Sequence, residues 1–413
     1  MRATLSPPAL QPWQRQLVVV AWVSYAAYYL SRVNLSTAMP AMQLELGFSK
    51  SQVGLINSGF FWAYAFSQII NGQLGDRLSP RRFVLVGMLA SAGLNLLFGT
   101  LSVWWLMMLL WTINGYFQAT GWGPILRLLA NWLEPAQRRK VSGMFGSCFV
   151  AGNALTWLLS GWLVANFGWR SAFWLPALLV ISLALVWYGL IRDTPAAAGH
   201  TTLPTAELLP ARRPANNFAA EVWLNLRRFW SLIGAALFTG FCLVSLIIWI
   251  PTYYVEVGQI DIGLAATLSS LLPFAGIGGT LLIGWVVGHQ LSGREGFGLS
   301  ALLLILAALF SLYAALPFNL VISSAALMLI GGIVYGAGSL VLSTMPLTLG
   351  RREEASSIAG LVGFAFNAGG GLSGVIVGAI LDAFTWNTVF LTLAASALAG
   401  AMFIGLTLLR ARK

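Results

Sequence analysis

The sequence predicts an all-α membrane protein whose twelve transmembrane helices form two pseudo-symmetric six-helix bundles. Three observations carry that prediction. Of the 413 residues, 58% are hydrophobic and only 8% charged, whereas a soluble domain carries about a quarter charged residues. A soluble core could not hide so much apolar surface, and lipid removes the need to hide it. The apolar residues fall into long runs separated by short polar breaks, and the second half of the chain repeats glycines and aromatics of the first.

The runs lie at roughly 15–38, 52–73, 83–101, 103–132, 141–165, 171–191, 230–255, 262–288, 297–316, 318–346, 356–382 and 387–409. Each is long enough to cross a hydrocarbon core about 30 Å thick. One break is longer. Residues 192–228 hold Pro195, Pro204, Pro210 and Pro214 with Arg212, Arg213, Arg227 and Arg228. They read as a linker between an N-terminal bundle, 1–191, and a C-terminal bundle, 229–413. The first fourteen residues have basic and proline positions but no short apolar core with a cleavage site, so the first run is expected to stay as a helix.

Basic residues set the expected orientation. Arg2 and Arg15, then Arg77, Arg81 and Arg82, then Arg138, Arg139 and Lys140 fall in alternate breaks. The five arginines of the linker region, Arg294, Arg351 with Arg352, and the C-terminal Arg410, Arg412 and Lys413 continue the pattern. Nineteen of the 23 Lys and Arg thus share one side, against Lys50 and Arg170 on the other. Positive charge is retained in the cytoplasm, so both termini and the linker are expected there, in a multi-pass protein of a bacterial inner membrane. The net charge of +11 is explained by this topology, and no nucleic-acid partner is expected.

A shift of 217 residues places Gly143, Gly146, Gly152, Gly161, Trp169 and Phe173 on Gly360, Gly363, Gly369, Gly378, Trp386 and Phe390. Glycines let helix backbones approach closely in a bilayer, where hydrophobicity gives no drive to associate. Parallel repeats of six helices suggest two bundles rocking about a site near the midplane.

Arg32 is the residue with the most chemistry. It sits inside the first run, where a charge costs about 2.5–3.5 kcal/mol or more. Tyr25, Tyr28, Tyr29, Arg32 and Ser36 recur at helical spacing and are expected on one face. A guanidinium fork suits phosphate or carboxylate; snorkelling to the interface or pairing with a structural carbonyl are the alternatives. All twelve Asp and Glu fall at predicted helix ends or in breaks. The natural counter-charge for Arg32 is therefore an anionic solute. Trp122, Tyr253 and Asn367, with Asn57, Trp62, Tyr64, Asn153, Trp249 and Tyr335, are further candidates to line the site.

A second cluster lies at the basic end of the second helix, in the run Gly72-Gln73-Leu74-Gly75-Asp76-Arg77-Leu78-Ser79-Pro80-Arg81-Arg82. Gly72 and Gly75 permit close helix contact, and Asp76 could meet a helix N-terminus or an arginine such as Arg127. Gly72, Gly75, Asp76, Arg77 and Arg127 are the candidate gating residues. Cys148 and Cys242 lie in apolar runs without metal-ligand spacing. No metal, cofactor or enzymatic constellation is expected, and the chain is expected to be a monomer in its bilayer.

The run Gly72–Arg82 resembles the signature loop of the major facilitator superfamily. Tyr28-Tyr29-Leu30-Ser31-Arg32-Val33-Asn34 and Ala38-Met39-Pro40 resemble the first helix of the organophosphate:phosphate antiporters, as do Gly121-Trp122-Gly123-Pro124 with Arg127 and Arg192-Asp193-Thr194-Pro195. The resemblance implies alternating-access transport of glycerol phosphate or a sugar phosphate, with the arginine at position 32 on the phosphate. Its glycerol-phosphate members carry a second arginine eight residues before a Pro-Thr-Tyr, where this chain has Leu243 before Pro251-Thr252-Tyr253. Their fifth-helix histidine is replaced by Cys148. The expected solute is thus a small organic anion, with phosphate or a proton as coupling ion. The alternatives are a proton-coupled symporter of sugar acids and carboxylates, for which the first helix also resembles the anion:cation symporters, and a non-transporting sugar-phosphate receptor. Export of neutral or cationic compounds is disfavoured by a buried cation with no intramembrane acid.

Overall fold

The computed structural model describes residues 10–134, 137, 138, 141, 145, 147–199, 218–291, 294–346 and 355–410, excepting the side chains of residues 69, 72, 73, 76, 218–222, 288, 355–357 and 407–410. The described residues contain helices and connections and no strand. The first half holds α1 (Pro12–Tyr28), α2 (Asn34–Leu46), α3 (Lys50–Arg77), α4 (Pro80–Phe98), α5 (Trp104–Gln118), α6 (Trp122–Trp132), α7 (Ser147–Phe167) and α8 (Ser171–Leu190). The second holds α9 (Phe218–Glu256), α10 (Ile262–Gln290), α11 (Glu295–Ala315), α12 (Leu320–Ser339), α13 (Ala355–Ala383) and α14 (Trp386–Arg410). A π-helical turn, Leu340–Thr344, extends α12.

Fourteen segments make twelve rods, because α1–α2 and α5–α6 each continue one rod across a break. Among the described residues nine helices are long and apolar enough to cross a membrane. The two broken rods and α3 are not among them, and Arg32 lies at the break of the first. Both breaks fall inside runs that the sequence predicted to be continuous. The helix of the second half also starts earlier than expected, at Phe218, and its backbone leaves helical geometry at Phe229 (φ −111°, ψ 17°). Residues 218–228 follow the last proline of the expected linker, and their Ala, Leu, Glu and Arg residues favour helix.

Helix ends are fixed by local chemistry. Ser49 accepts from the Gln52 N–H and opens α3 with a reciprocal Gln52 bond. Ser79 accepts from the Arg82 N–H at the start of α4, with Pro80 in its first turn, and Asp261 caps α10. Asp193 accepts from the Ser79 hydroxyl and the Arg81 N–H (2.9 Å), while Trp187 Nε1 donates to the Arg81 carbonyl at 2.9 Å. The segment after α8 thereby ties down the start of α4.

The repeat read from the sequence is also a repeat of contacts. A Cβ on Gly152 of α7 would lie 2.8 Å from the Ala26 carbonyl of α1, and one on Gly369 of α13 2.0 Å from the Leu237 carbonyl of α9. Trp169 Nε1 donates to Glu45 at 2.9 Å; its mate Trp386 donates to Glu256 at 3.1 Å. The Phe173 ring stacks on Phe98 with centroids 4.5 Å apart, and the Phe390 ring meets Tyr313 at 4.5 Å. The two halves therefore use the same packing at equivalent places.

The halves join along α3 and α13. At Gly54 an added Cβ would sit 2.2 Å from the Gly374 carbonyl, and at Gly378 one would sit 2.6 Å from the Lys50 carbonyl. Such backbone contact is the packing expected of small residues in lipid. At the Lys50 end the seam is also polar. Asp382 accepts from the N–H groups of Lys50 (2.8 Å) and Ser51 (2.9 Å), and the Lys50 ammonium pairs with Glu256. The structure is closed at this end.

Candidate functional site

The first rod breaks at a 3₁₀ turn, Tyr29–Ser31, followed by Arg32 at φ −126°, ψ −48°. A break in a spanning helix frees carbonyls that lipid cannot solvate. Here amide side chains from α4 and α5 take them. Asn114 Nδ2 donates to the Ser31 carbonyl at 2.8 Å and Asn95 Nδ2 at 3.2 Å, while Gln118 Nε2 donates to the Tyr28 carbonyl at 3.0 Å. Ser91 Oγ joins the set, donating to Asn114 at 2.6 Å and accepting from Gln118 at 2.8 Å. Asn34, at the start of α2, bridges Asn95 and the Ala172 carbonyl, both at 2.9 Å.

Arg32 projects from this turn. Its Nε donates to Gln118 Oε1 at 3.1 Å. Its Cζ lies 4.7 Å from the centre of the Tyr29 ring, 4.6 Å from Tyr64 and 5.7 Å from Phe60. Cation–π contact of this kind stabilises a desolvated guanidinium by about 2 kcal/mol. It does not replace a counter-charge. The Nη2 atom is buried and has no hydrogen-bond partner. The described ion pairs, Lys50–Glu256 and Arg170–Glu45, are both at the opposite, Lys50 end of the rods and involve neither Arg32 nor its neighbours.

The second half reaches the same place through α12. The Tyr335 hydroxyl, buried without a partner, is within electrostatic reach of Tyr29, and its ring stacks on Phe149 at 5.8 Å. The site thus lies where the two halves face each other, with a cation and four aromatic rings on it. A family profile of the Major Facilitator Superfamily matches residues 21–373.

The chain belongs to the major facilitator superfamily. Among its relatives, a glycerol-3-phosphate transporter of Bacillus subtilis (strain 168) is 30% identical over 418 residues, covering 95% of this chain and 91% of that protein. A probable hexose phosphate transport protein of Chlamydia pneumoniae is 26% identical over 408 residues, covering 93% and 89%. Among solved structures, a bacterial homolog of the human lysosomal transporter Spinster, inward-facing and unoccupied, matches with a TM-score of 0.77 at 16% identity, covering 96% of both chains. That likeness is one of fold, and it agrees with the two-bundle architecture expected of the family.

The residues singled out in the sequence divide into three groups. Arg32, Tyr29 and Tyr25 come together, and Tyr25 passes the cluster on to Trp122, whose ring centre is 4.9 Å away. Tyr28 packs on Tyr25 with ring centres 6.0 Å apart, but its hydroxyl turns away into the first-half bundle, and Ser36 lies beyond the break. Tyr28 donates to the Val84 carbonyl at 3.1 Å and meets Thr120 at 3.2 Å; Ser36 accepts from Trp157 Nε1 at 2.8 Å. Tyr253 belongs to a separate aromatic cluster with Tyr313, Trp386 and Phe390, which shares no member with the rings around Arg32. Asn367 bonds within its own helix, to the Gly363 carbonyl at 2.8 Å.

Of the gating candidates, Gly75 lets the Pro124 ring of α6 approach, at 3.2 Å from the place of an added Cβ. Arg127 donates to the carbonyls of Gly75 and Leu78 (3.2 Å for the latter), closing the C-terminus of α3. Arg77 is exposed. Gly72 is in α3, but its surroundings and the side chain of Asp76, Arg127's expected partner, lie outside the described residues. Sequence reasoning missed Gln118, Asn114, Asn95 and Phe60. The first three carried a signal: amides inside apolar runs, which must find partners in a bilayer.

The second break explains one motif. Between α5 and α6 the chain passes through Gly121, where an added Cβ would stand 2.9 Å from Cε2 and 3.1 Å from Cζ of Tyr28. The glycine of Gly121-Trp122-Gly123-Pro124 thus lets the Tyr28 ring press against the second break, one turn from Gln118 at the first.

Proposed function

We propose that this chain is a secondary active transporter that carries a small organic anion, glycerol phosphate or a sugar phosphate, by alternating exposure of Arg32. The observation that carries this reading is the Nη2 of Arg32, buried and unpartnered between the two halves. A cation kept there without a carboxylate is stabilised most by a ligand that brings the missing charge. Aromatic faces at 4.6–4.7 Å hold the guanidinium in place while Nη2 stays without a hydrogen-bond partner. The names of the two relatives supply the phosphorylated class of solute.

Residues 1–191 and 229–413 act as the two moving bodies and residues 192–228 join them. Tyr25, Tyr29 and Trp122 form the wall beside Arg32. Tyr28, Tyr253 and Asn367, bonded or packed elsewhere, keep the wall's framework. Gly75 and Arg127, with Gly72, Asp76 and Arg77, make the hinge contact at the basic end. That end faces the cytoplasm of a bacterial cell, as the 19 basic residues gathered there support, and the protein works as a monomer. Phosphate is the exchanged counter-anion; a proton-driven import of a sugar acid is the competing coupling.

The test is uptake into vesicles. Purified protein is reconstituted with internal phosphate and offered labelled glycerol 3-phosphate, hexose phosphates and sugar acids. Exchange that depends on internal phosphate and is lost in Arg32→Ala is expected. Uptake unchanged in Arg32→Ala sinks the anion site, uptake that follows a proton gradient and ignores phosphate replaces exchange with symport, and binding without uptake makes the chain a receptor.

A further inference from the structure

We propose that Gln118 is a positioning residue for Arg32, and that by occupying the Nε edge it leaves the anion only the edge made by the two Nη groups. The inference rests on the reading of Arg32 as the anion's partner, and deepens it to a binding geometry.

The argument starts from the shape of the guanidinium. It can meet a two-oxygen anion on its side, through Nε and one Nη, or on its end, through both Nη groups. The side edge needs the Nε–H, and that hydrogen is already given to Gln118 Oε1 at 3.1 Å. Gln118 is itself fully buried (0% exposed) and held on its other arm. Its Nε2 donates to the Tyr28 carbonyl at 3.0 Å and to Ser91 Oγ at 2.8 Å. An amide so bonded cannot turn its oxygen away without leaving buried donors or acceptors unpaired, at about 1–3 kcal/mol each. The acceptor on Arg32 is therefore a fixed part of the wall.

The consequence reaches the ligand. Tyr29 and Tyr64 lie against the guanidinium at 4.7 and 4.6 Å, so the ligand approaches along its plane. With the Nε edge taken, what remains in that plane is the end of the fork, where Nη2 is unpartnered and covered in this conformation. An anion with two oxygens on one centre, a phosphate ester or a carboxylate, fits that fork. The same bond through Gln118 couples the site to the break in the first rod, because the amide that grips Arg32 also satisfies the carbonyl of Tyr28.

The experiment uses the full-length protein in two arms. In the first, the melting temperature of Gln118→Met is compared with that of wild type in the native and Arg32→Ala backgrounds. Part of the cost comes from the Tyr28 carbonyl and Ser91 losing their donor and is the same in both backgrounds; the rest comes from the Arg32 Nε–H losing its acceptor and needs Arg32. The drop is expected to be about 3 °C larger in the native background than in Arg32→Ala. This arm needs no solute, so it stands or falls apart from the transport reading.

In the second arm, phosphate-loaded vesicles take up glycerol 3-phosphate. Gln118→Glu gives the guanidinium an internal anion and raises KM about tenfold or more. Gln118→Met, close in shape but unable to accept, raises KM with kcat largely kept. A melting drop of the same size with and without Arg32 overturns the positioning role. An unchanged KM in Gln118→Met overturns the edge assignment. If wild type takes up no anion while the first arm gives the expected difference, the transport reading fails and the Gln118–Arg32 contact stands.

Discussion

Asp382→Ala tests whether the closed Lys50 end is a latch between the halves. Asp382 belongs to α13, and the two N–H groups it accepts from belong to the first turn of α3. Helices leave their first N–H groups without internal partners, so a carboxylate there acts as a cap supplied from the other half. Capping losses are about 0.5–2 kcal/mol. Asp382 is exposed, which discounts the charge, but two bonds at 2.8 and 2.9 Å are lost at once. The cost is thus about 1–2 kcal/mol. It falls on the closed state alone, because when the halves part at this end donors and acceptor separate in wild type too and water takes both.

A bias of 1–2 kcal/mol changes a two-state ratio by about 5- to 30-fold. If about one wild-type molecule in a hundred is open at this end, the variant is open in about five to twenty-five. Spin labels at exposed Val103, between α4 and α5, and exposed Leu316, after α11, read the separation of the halves there. The longer-distance population is expected to grow in Asp382→Ala and to return in part in Asp382→Glu. An unchanged distance distribution in Asp382→Ala, with the protein folded, refutes the latch.

Three other outcomes follow from the geometry. Gly54→Leu puts a side chain where a Cβ alone would be 2.2 Å from the Gly374 carbonyl; closure at this end should fail and uptake should be lost, with the protein still present in the membrane and the Val103–Leu316 distance long. Arg127→Met removes the donors that close α3 at Gly75 and Leu78 and should lower stability by about 1–3 kcal/mol, seen as a drop in melting temperature that Arg127→Lys recovers in part. Asn114→Leu, which strips the Ser31 carbonyl and Ser91 of a partner, should destabilise more than Asn153→Leu, whose amide bonds only its own helix at 2.9 Å.

The rods were legible because each break between apolar runs carries charges, prolines or glycines, and the bilayer sets a minimum length for what lies between. The repeat was legible in Trp169 and Trp386, because an indole held by a glutamate at the same place in each half constrains both residue types. The break at Tyr29–Ser31 was not. No proline or glycine marks it, and what makes it tolerable comes from Asn95, Asn114 and Gln118, which lie 60 to 90 residues away. A helical face drawn through Tyr25, Tyr28, Tyr29, Arg32 and Ser36 assumed a continuous helix and so carried Ser36 across a turn that separates it from the others. The role of Asp382 was equally hidden, since a carboxylate near a helix end reads as a solvated charge until the partner helix is in view.

The repeat also bears on why the site has a single cation. Pro40, Glu45 and Gly47 have counterparts 211 residues later in Pro251, Glu256 and Gly258, and the paired bonds of Glu45 and Glu256 fix that register in space. On it Arg32 maps to Leu243, and Leu243 is buried in α9, which has no break at that place. The two differences belong together. An unbroken helix presents no free carbonyls, calls for no amide rack, and so provides no acceptor such as Gln118 to orient a guanidinium. A second arginine at 243 would be a second buried cation in the same interior, and two like charges at low dielectric repel when no anion is bound. With one cation held by aromatic faces and an amide, the empty site carries a single uncompensated charge among the described residues. One anionic group of the solute is then enough to relieve it, on whichever side the halves are open.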